Sequence, residues 1–161
     1  MVRYRRNFVP GGTFFFTVTL DDRRSAALVD HAALLRAAFR KTRTERPFVV
    51  DAIVVLPDHL HAIMTLPPDD SDFSDRWRRI KGIFTRSVVA ADVPISRDHR
   101  GEYALWQKRF WEHTIRNNRD FIPNFGERYR QGETISTAFV ESTINQVVSR
   151  RFVKKHRCSG H

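Results

Sequence analysis

The sequence predicts an α+β fold: a ferredoxin-like β-α-β-β-α-β order, with an antiparallel sheet carrying its helices on one face. Two observations point there. Runs rich in β-branched and aromatic residues recur, bounded by turn residues, and a Pro-Asp turn joins the middle two. Between the outer and middle runs lie two long segments whose apolar residues repeat every three or four positions.

The first strand is expected in "GGTFFFTVTL" (Gly11 to Leu20), after a Pro-Gly-Gly turn. "SAALVDHAALLRAAFRKTRTERP" follows, alanine-rich, with Leu28, Leu34, Leu35, Ala38 and Phe39 in helical register. It reads as one helix, closed by Pro47. "FVVDAIVVL" and "HLHAIMTL" form two strands around Pro57-Asp58, most simply an antiparallel pair. In "DFSDRWRRIKGIFTRSVVAA", Phe73, Trp77, Ile80, Phe84 and Val88 form an apolar stripe, and Arg76, Arg79 and Arg86 are assigned to the opposite face. A polar loop from Asp92 to Glu102 leads to the last strand, in "ALWQKRFWEHTI". Beyond Arg116, "RNNRDFIPNFGERYRQG" starts like a helix. Pro123 and Gly126 in its interior, costing about 3 and 1 kcal/mol relative to alanine, make it short or broken. "TAFVESTINQVVSRRFVKKH" is a final amphipathic helix with Val140, Ile144, Val147, Val148 and Phe152 on one stripe.

The chain has 161 residues, the length of a single core. No apolar run reaches the length of a membrane span, and the charged N-terminus lacks the apolar stretch of a signal peptide. A lone cysteine, Cys158, excludes an internal disulfide and a Cys-rich zinc site, and a cytoplasmic location is expected. The formal net charge is +10, with arginine far outnumbering lysine, which points to a polyanionic partner and first to nucleic acid.

In "LPDHLHAIMTL", alternation along a strand puts His59 and His61 on one face and Leu60 on the other. Two imidazoles so placed can ligate one divalent cation together. Spacing alone favours two independent surface histidines over a shared metal site.

Four stretches carry a family resemblance: "YRRNFVPGGTFFFTVTL", "RPFVVDAIVVLPDHLHAIMTLP", "DFSDRWRRIKGIFTR" and "LWQKRFWEHTIRNNRD". From about Tyr4 to Asp120 the chain resembles the bacterial REP-associated tyrosine transposases, within the single-tyrosine HUH superfamily. The resemblance implies that His59 and His61 form the His-hydrophobic-His motif holding a catalytic Mg²⁺ or Mn²⁺. It implies single-stranded DNA, folded as a hairpin, as partner in the bacterial nucleoid. A tyrosine would cut the strand, leaving a 5′-phosphotyrosine and a free 3′-OH that can be rejoined without ATP. It leaves both a monomer and a dimer open.

Past "WEHTIR" this family carries a tyrosine motif resembling Asp-Tyr-Ile-His-x-Asn-Pro-Val-Lys, which has no counterpart here. Ungapped continuation puts Glu127 at the tyrosine position and Gln131 at that of a third metal ligand. Tyr129 is the nearest tyrosine, and in a helix a slip of two residues turns a side chain by about 200°. Tyr129 is therefore the candidate nucleophile only if Pro123 and Gly126 re-aim the segment, with Glu133 then a possible third ligand; otherwise it is a surface tyrosine. "GETISTAFVESTINQVVSRRFVKK" resembles instead part of an unrelated DDE-type transposase, whose metal-binding glutamate would match Glu141. The expected organisation is a family domain over 1–122 and a divergent, helical tail over 123–161, of the kind a gene junction near Asp120 would produce. Two functions stay open: a strand-cutting transposase, and a hairpin binder without a nucleophile.

For DNA contacts, the arm with Arg3, Tyr4, Arg5 and Arg6 combines phosphate-pairing forks with a stacking ring, and Gly11 and Gly12 permit a close backbone approach. Arg76, Arg79, Lys81 and Arg86 are candidates for a hairpin stem. Arg109, His113 and Arg116 match the family's "RFWEHTIR" segment, with Trp106 and Trp111 expected in the core.

Overall fold

The computed structural model describes residues 8–116. They fall in two compact units, one running through Glu112 and the other beginning at His113. The expected 122/123 boundary, the broken helix and the C-terminal helix lie outside the described residues.

The element order is β1 (Thr13–Thr19), α1 (Ala27–Asp30), α2 (Ala32–Glu45), β2 (Val49–Val55), β3 (His59–Thr65), α3 (Phe73–Ala90) and β4 (Trp111–Ile115). The four strands stand in the order β2-β3-β1-β4, as the split βαβ pattern requires. β3 is central and runs antiparallel to both β1 and β2. Its pairing with β2 slips at Val50/Ala52, a bulge, and the extra residue, Asp51, accepts from the Thr65 hydroxyl at 2.6 Å.

Register decides which side chains face the helices. Phe14, Phe16 and Val18 of β1 pair with Met64, Ala62 and Leu60 of β3, and all six belong to the buried cluster. The α3 stripe completes it: Phe73, Trp77, Ile80, Phe84 and Val88 are all buried, with Leu35 and Ala38 from α2. Ring contacts tie the layers, Phe16 lying 5.3 Å from Trp77 and 5.4 Å from Phe73. Asp72 caps α3, its carboxylate accepting from Asp75 N–H at 2.9 Å.

Three expectations change. The first helix is two, because the chain leaves helical geometry at His31, whose φ is −115°. The last strand is Trp111–Ile115 alone; Trp106 forms only an isolated bridge with Leu20. Arg76 does not face solvent. It is fully buried, donating to Pro47 O at 3.2 and 2.6 Å, to Asp72 O at 2.8 Å and to Asp70 Oδ2 at 2.9 Å. An arginine can sit on the apolar stripe when carbonyls and a carboxylate meet its fork of donors, so Arg76 is unavailable to a hairpin stem.

Candidate functional site

The sheet face away from the helices carries the histidine pair. Pairing sets Thr17 opposite His61 and Thr19 opposite His59, with Phe15 opposite Ile63 below them. The two imidazole centroids lie 5.0 Å apart with ring planes at 86°. His61 is buried and stacks at 5.5 Å on Phe15, which meets Trp111 edge-on at 5.8 Å. His59 is only slightly exposed.

Each imidazole is held through Nδ1. His61 Nδ1 meets Thr17 Oγ1 at 2.9 Å, and His59 Nδ1 meets Asp58 Oδ1 at 2.7 Å. The other Asp58 oxygen takes Arg23 Nε at 2.6 Å. Burial opposes ionisation of Asp58. The His59 hydrogen bond and the neighbouring Arg23 charge outweigh it, so its pKa lies below the ordinary 3.8. With both Nδ1 atoms engaged, Nε2 is the nitrogen each ring would turn to a metal. The donor set thus fits two ligands of an open divalent site. Among the described residues no group of three or more His, Cys, Asp or Glu is placed to hold a metal ion, and the expected third ligand, Gln131, lies outside them.

No family model matches the chain. It is 47% identical over 121 residues to the REP-associated tyrosine transposase of Escherichia coli K12, covering 75% of this chain and 66% of that protein. A Haemophilus influenzae Rd protein described by the same family name is 38% identical over 122 residues, 74% of this chain and 69% of the relative.

The chain belongs to the REP-associated tyrosine transposase family.

It spans about two-thirds of the length of these curated relatives. A solved REP-associated tyrosine transposase bound to a REP hairpin superposes with a TM-score of 0.63 at 44% identity, covering 82% of this chain and 68% of that one. A transposase-like protein of Deinococcus radiodurans, 17% identical with a TM-score of 0.56 over 84% of this chain and all of its own, shares the fold.

The other expected site residues are distributed unevenly. Arg79 is held between Asp75 Oδ2 at 2.7 Å and Glu45 Oε2 at 2.8 Å. Lys81 donates to Gln107 O at 2.9 Å and lies 5.6 Å from the Trp106 and Phe110 ring centroids. Arg86 and Arg109 are exposed. Gly11 has φ +66 in the turn before β1, its N–H bonded to Asp70 O at 3.1 Å, and a Cβ on Gly12 would come within 2.8 Å of Val9 O. The turn by itself therefore requires both glycines. In the second unit His113 is half-buried and Arg116 exposed. Arg3, Tyr4, Arg5, Arg6, Tyr129, Gln131, Glu127, Glu133 and Glu141 lie outside the described residues. Among the described residues no helix is long and apolar enough to cross a membrane.

Sequence reasoning overlooked Asp58, Arg23 and Thr17 as partners of the histidines. Asp58 carried a signal, since it directly precedes His59. Arg23 and Thr17 carried none, because loop folding and strand register bring them in.

Proposed function

We propose that this protein binds REP-type hairpin DNA and cuts and rejoins single strands at the His59–His61 face, with a divalent metal, Mg²⁺ or Mn²⁺, held by both imidazoles. The observation that carries the reading is the pair itself: two histidines on one sheet face, each anchored at Nδ1, in a chain of this family. The solved relative bound to a REP hairpin supports the choice of DNA. A bound cation would polarise the scissile phosphate and offset its developing charge. His59 and His61 would hold it, while Arg109, His113, Arg116 and the arm Arg3, Tyr4, Arg5 and Arg6 would bind and orient the strand; Gly11 and Gly12 would let that arm approach the DNA closely.

Tyr129 is the proposed nucleophile and Gln131 the proposed third ligand. The phenol oxygen would form a bond to phosphorus as the P–O3′ bond breaks, the phenol losing its proton and the 3′ oxygen gaining one. That leaves a 5′-phosphotyrosine and a free 3′-OH. One feature of the chain favours a second reading, a hairpin binder without chemistry: Glu127 stands where the family's tyrosine is expected.

The two readings separate in a cleavage assay with labelled hairpin oligonucleotides and Mn²⁺, run on wild-type, Tyr129→Phe and His59→Ala proteins. A covalent protein–DNA adduct lost in both variants supports the transposase. Specific hairpin binding with no adduct in any of the three establishes the binder.

A further inference from the structure

We propose that Asp58, braced by Arg23, is a positioning residue for His59: its carboxylate holds the Nδ1–H of the imidazole, fixing the tautomer whose Nε2 lone pair can take a divalent cation. The inference rests on the metal reading above and assigns a role to two residues outside the expected site.

Both Asp58 oxygens are committed. Oδ1 accepts from His59 Nδ1 at 2.7 Å and Oδ2 from Arg23 Nε at 2.6 Å, so the carboxylate cannot turn away from the ring without breaking an ion pair. The backbone beneath is also pinned. Asp58 O accepts from Leu20 N–H at 2.8 Å, Pro57 O from Leu28 N–H at 3.2 Å, and His59 O from Leu56 N–H at 2.8 Å. The turn that delivers Asp58 is thus tied to the end of β1 and to α1. The Asp58 side chain is 14% exposed, which lets its hydrogen bonds act with little competition from water.

The two histidines differ in kind. An ionised carboxylate only accepts, so it selects the Nδ1–H form of His59. The Thr17 hydroxyl beside His61 can donate or accept, so that contact suits either tautomer. The brace therefore acts on His59 alone. A carboxylate behind a metal-binding histidine typically changes metal affinity 10- to 100-fold, and that is about the size of effect expected here.

The test uses Asp58→Asn in the full chain. The amide can present its NH₂ group to Nδ1 and so favour the Nε2–H form at nearly constant volume. Nitrogen-15 NMR of the metal-free protein should show His59 as Nδ1–H in the wild type and as Nε2–H in the variant, with the His61 signals unmoved. Mn²⁺ affinity, followed by electron paramagnetic resonance, should fall roughly 10- to 100-fold, with hairpin binding in EDTA unaltered. Arg23→Gln, at a half-exposed side chain, is the second variant should Asp58→Asn fail to fold, and a smaller loss of Mn²⁺ affinity is expected. An unchanged His59 tautomer together with wild-type Mn²⁺ affinity in the variants overturns the proposal. Failure of the wild type to bind more Mn²⁺ than His59→Ala overturns the metal reading and the proposal with it. That failure is told apart from failure of the brace because the tautomer is read without metal.

Discussion

Thr17 and His61 sit opposite each other on neighbouring strands, and their side chains meet at 2.9 Å on the sheet face away from the helices. Thr17→Val keeps the shape and removes the hydroxyl; unfolding in urea should show a loss of about 1 kcal/mol, the usual net worth of such a bond. Replacing His61 itself by alanine should remove most Mn²⁺ affinity while leaving the fold intact, which calorimetric titration beside a circular dichroism melt would check. If His61→Ala bound Mn²⁺ as the wild type does, the pair would not be a metal site. That two histidines share a face was legible from the HLH spacing, because alternation is a property of the strand alone. Their anchoring was not: Thr17 lies 44 residues from His61 in the chain, and only the register of β1 against β3 brings them together.

At the scale of elements, α3 shows where pattern reading succeeds and where it stops. Its apolar stripe from Phe73 to Val88 was readable, since residues three and four apart share a helix face. Arg76 lies on that same face, and polarity alone assigned it to solvent. Its burial depends on Pro47 O, a carbonyl contributed by a distant connection. Arg76→Leu would take the guanidinium donors away from that carbonyl, from Asp72 O and from Asp70 Oδ2. We expect roughly 3 kcal/mol of lost stability, measured by denaturant unfolding. One residue earlier, Asp75 accepts from Arg78 and Arg79, and these hydrogen bonds lower its pKa from 3.8 to about 2. A depressed carboxylate pKa means the unfolded chain binds the proton more readily. The contribution is therefore complete above about pH 4 and is lost as pH falls toward 2. Asp75→Asn should accordingly lower the melting temperature at pH 7, with the gap to wild type closing near pH 2. A gap that stays constant across that range would contradict the assignment.

For the whole molecule, the net charge of +10 means that the proposed hairpin binding would proceed with counterion release. Hairpin affinity should fall linearly in log–log form as salt rises from about 50 to 200 mM, and the Arg109→Gln and Arg116→Gln proteins should each show a slope shallower by about one unit or less. Equal slopes for both variants and the wild type would remove these arginines from the interface. The amino-acid sequence by itself determined the order of the four strands and where helices interrupt them, the face shared by His59 and His61, and the basic character that calls for a polyanion. These follow from local periodicity and composition, which the chain carries before it folds. Tertiary structure alone decided that Arg76 is core, that Glu45 reaches Arg79, and that Arg23 braces the Asp58 carboxylate beside His59. Hydrogen bonding of that kind depends on which distant groups the fold brings within 3 Å, and no periodicity in the chain encodes it.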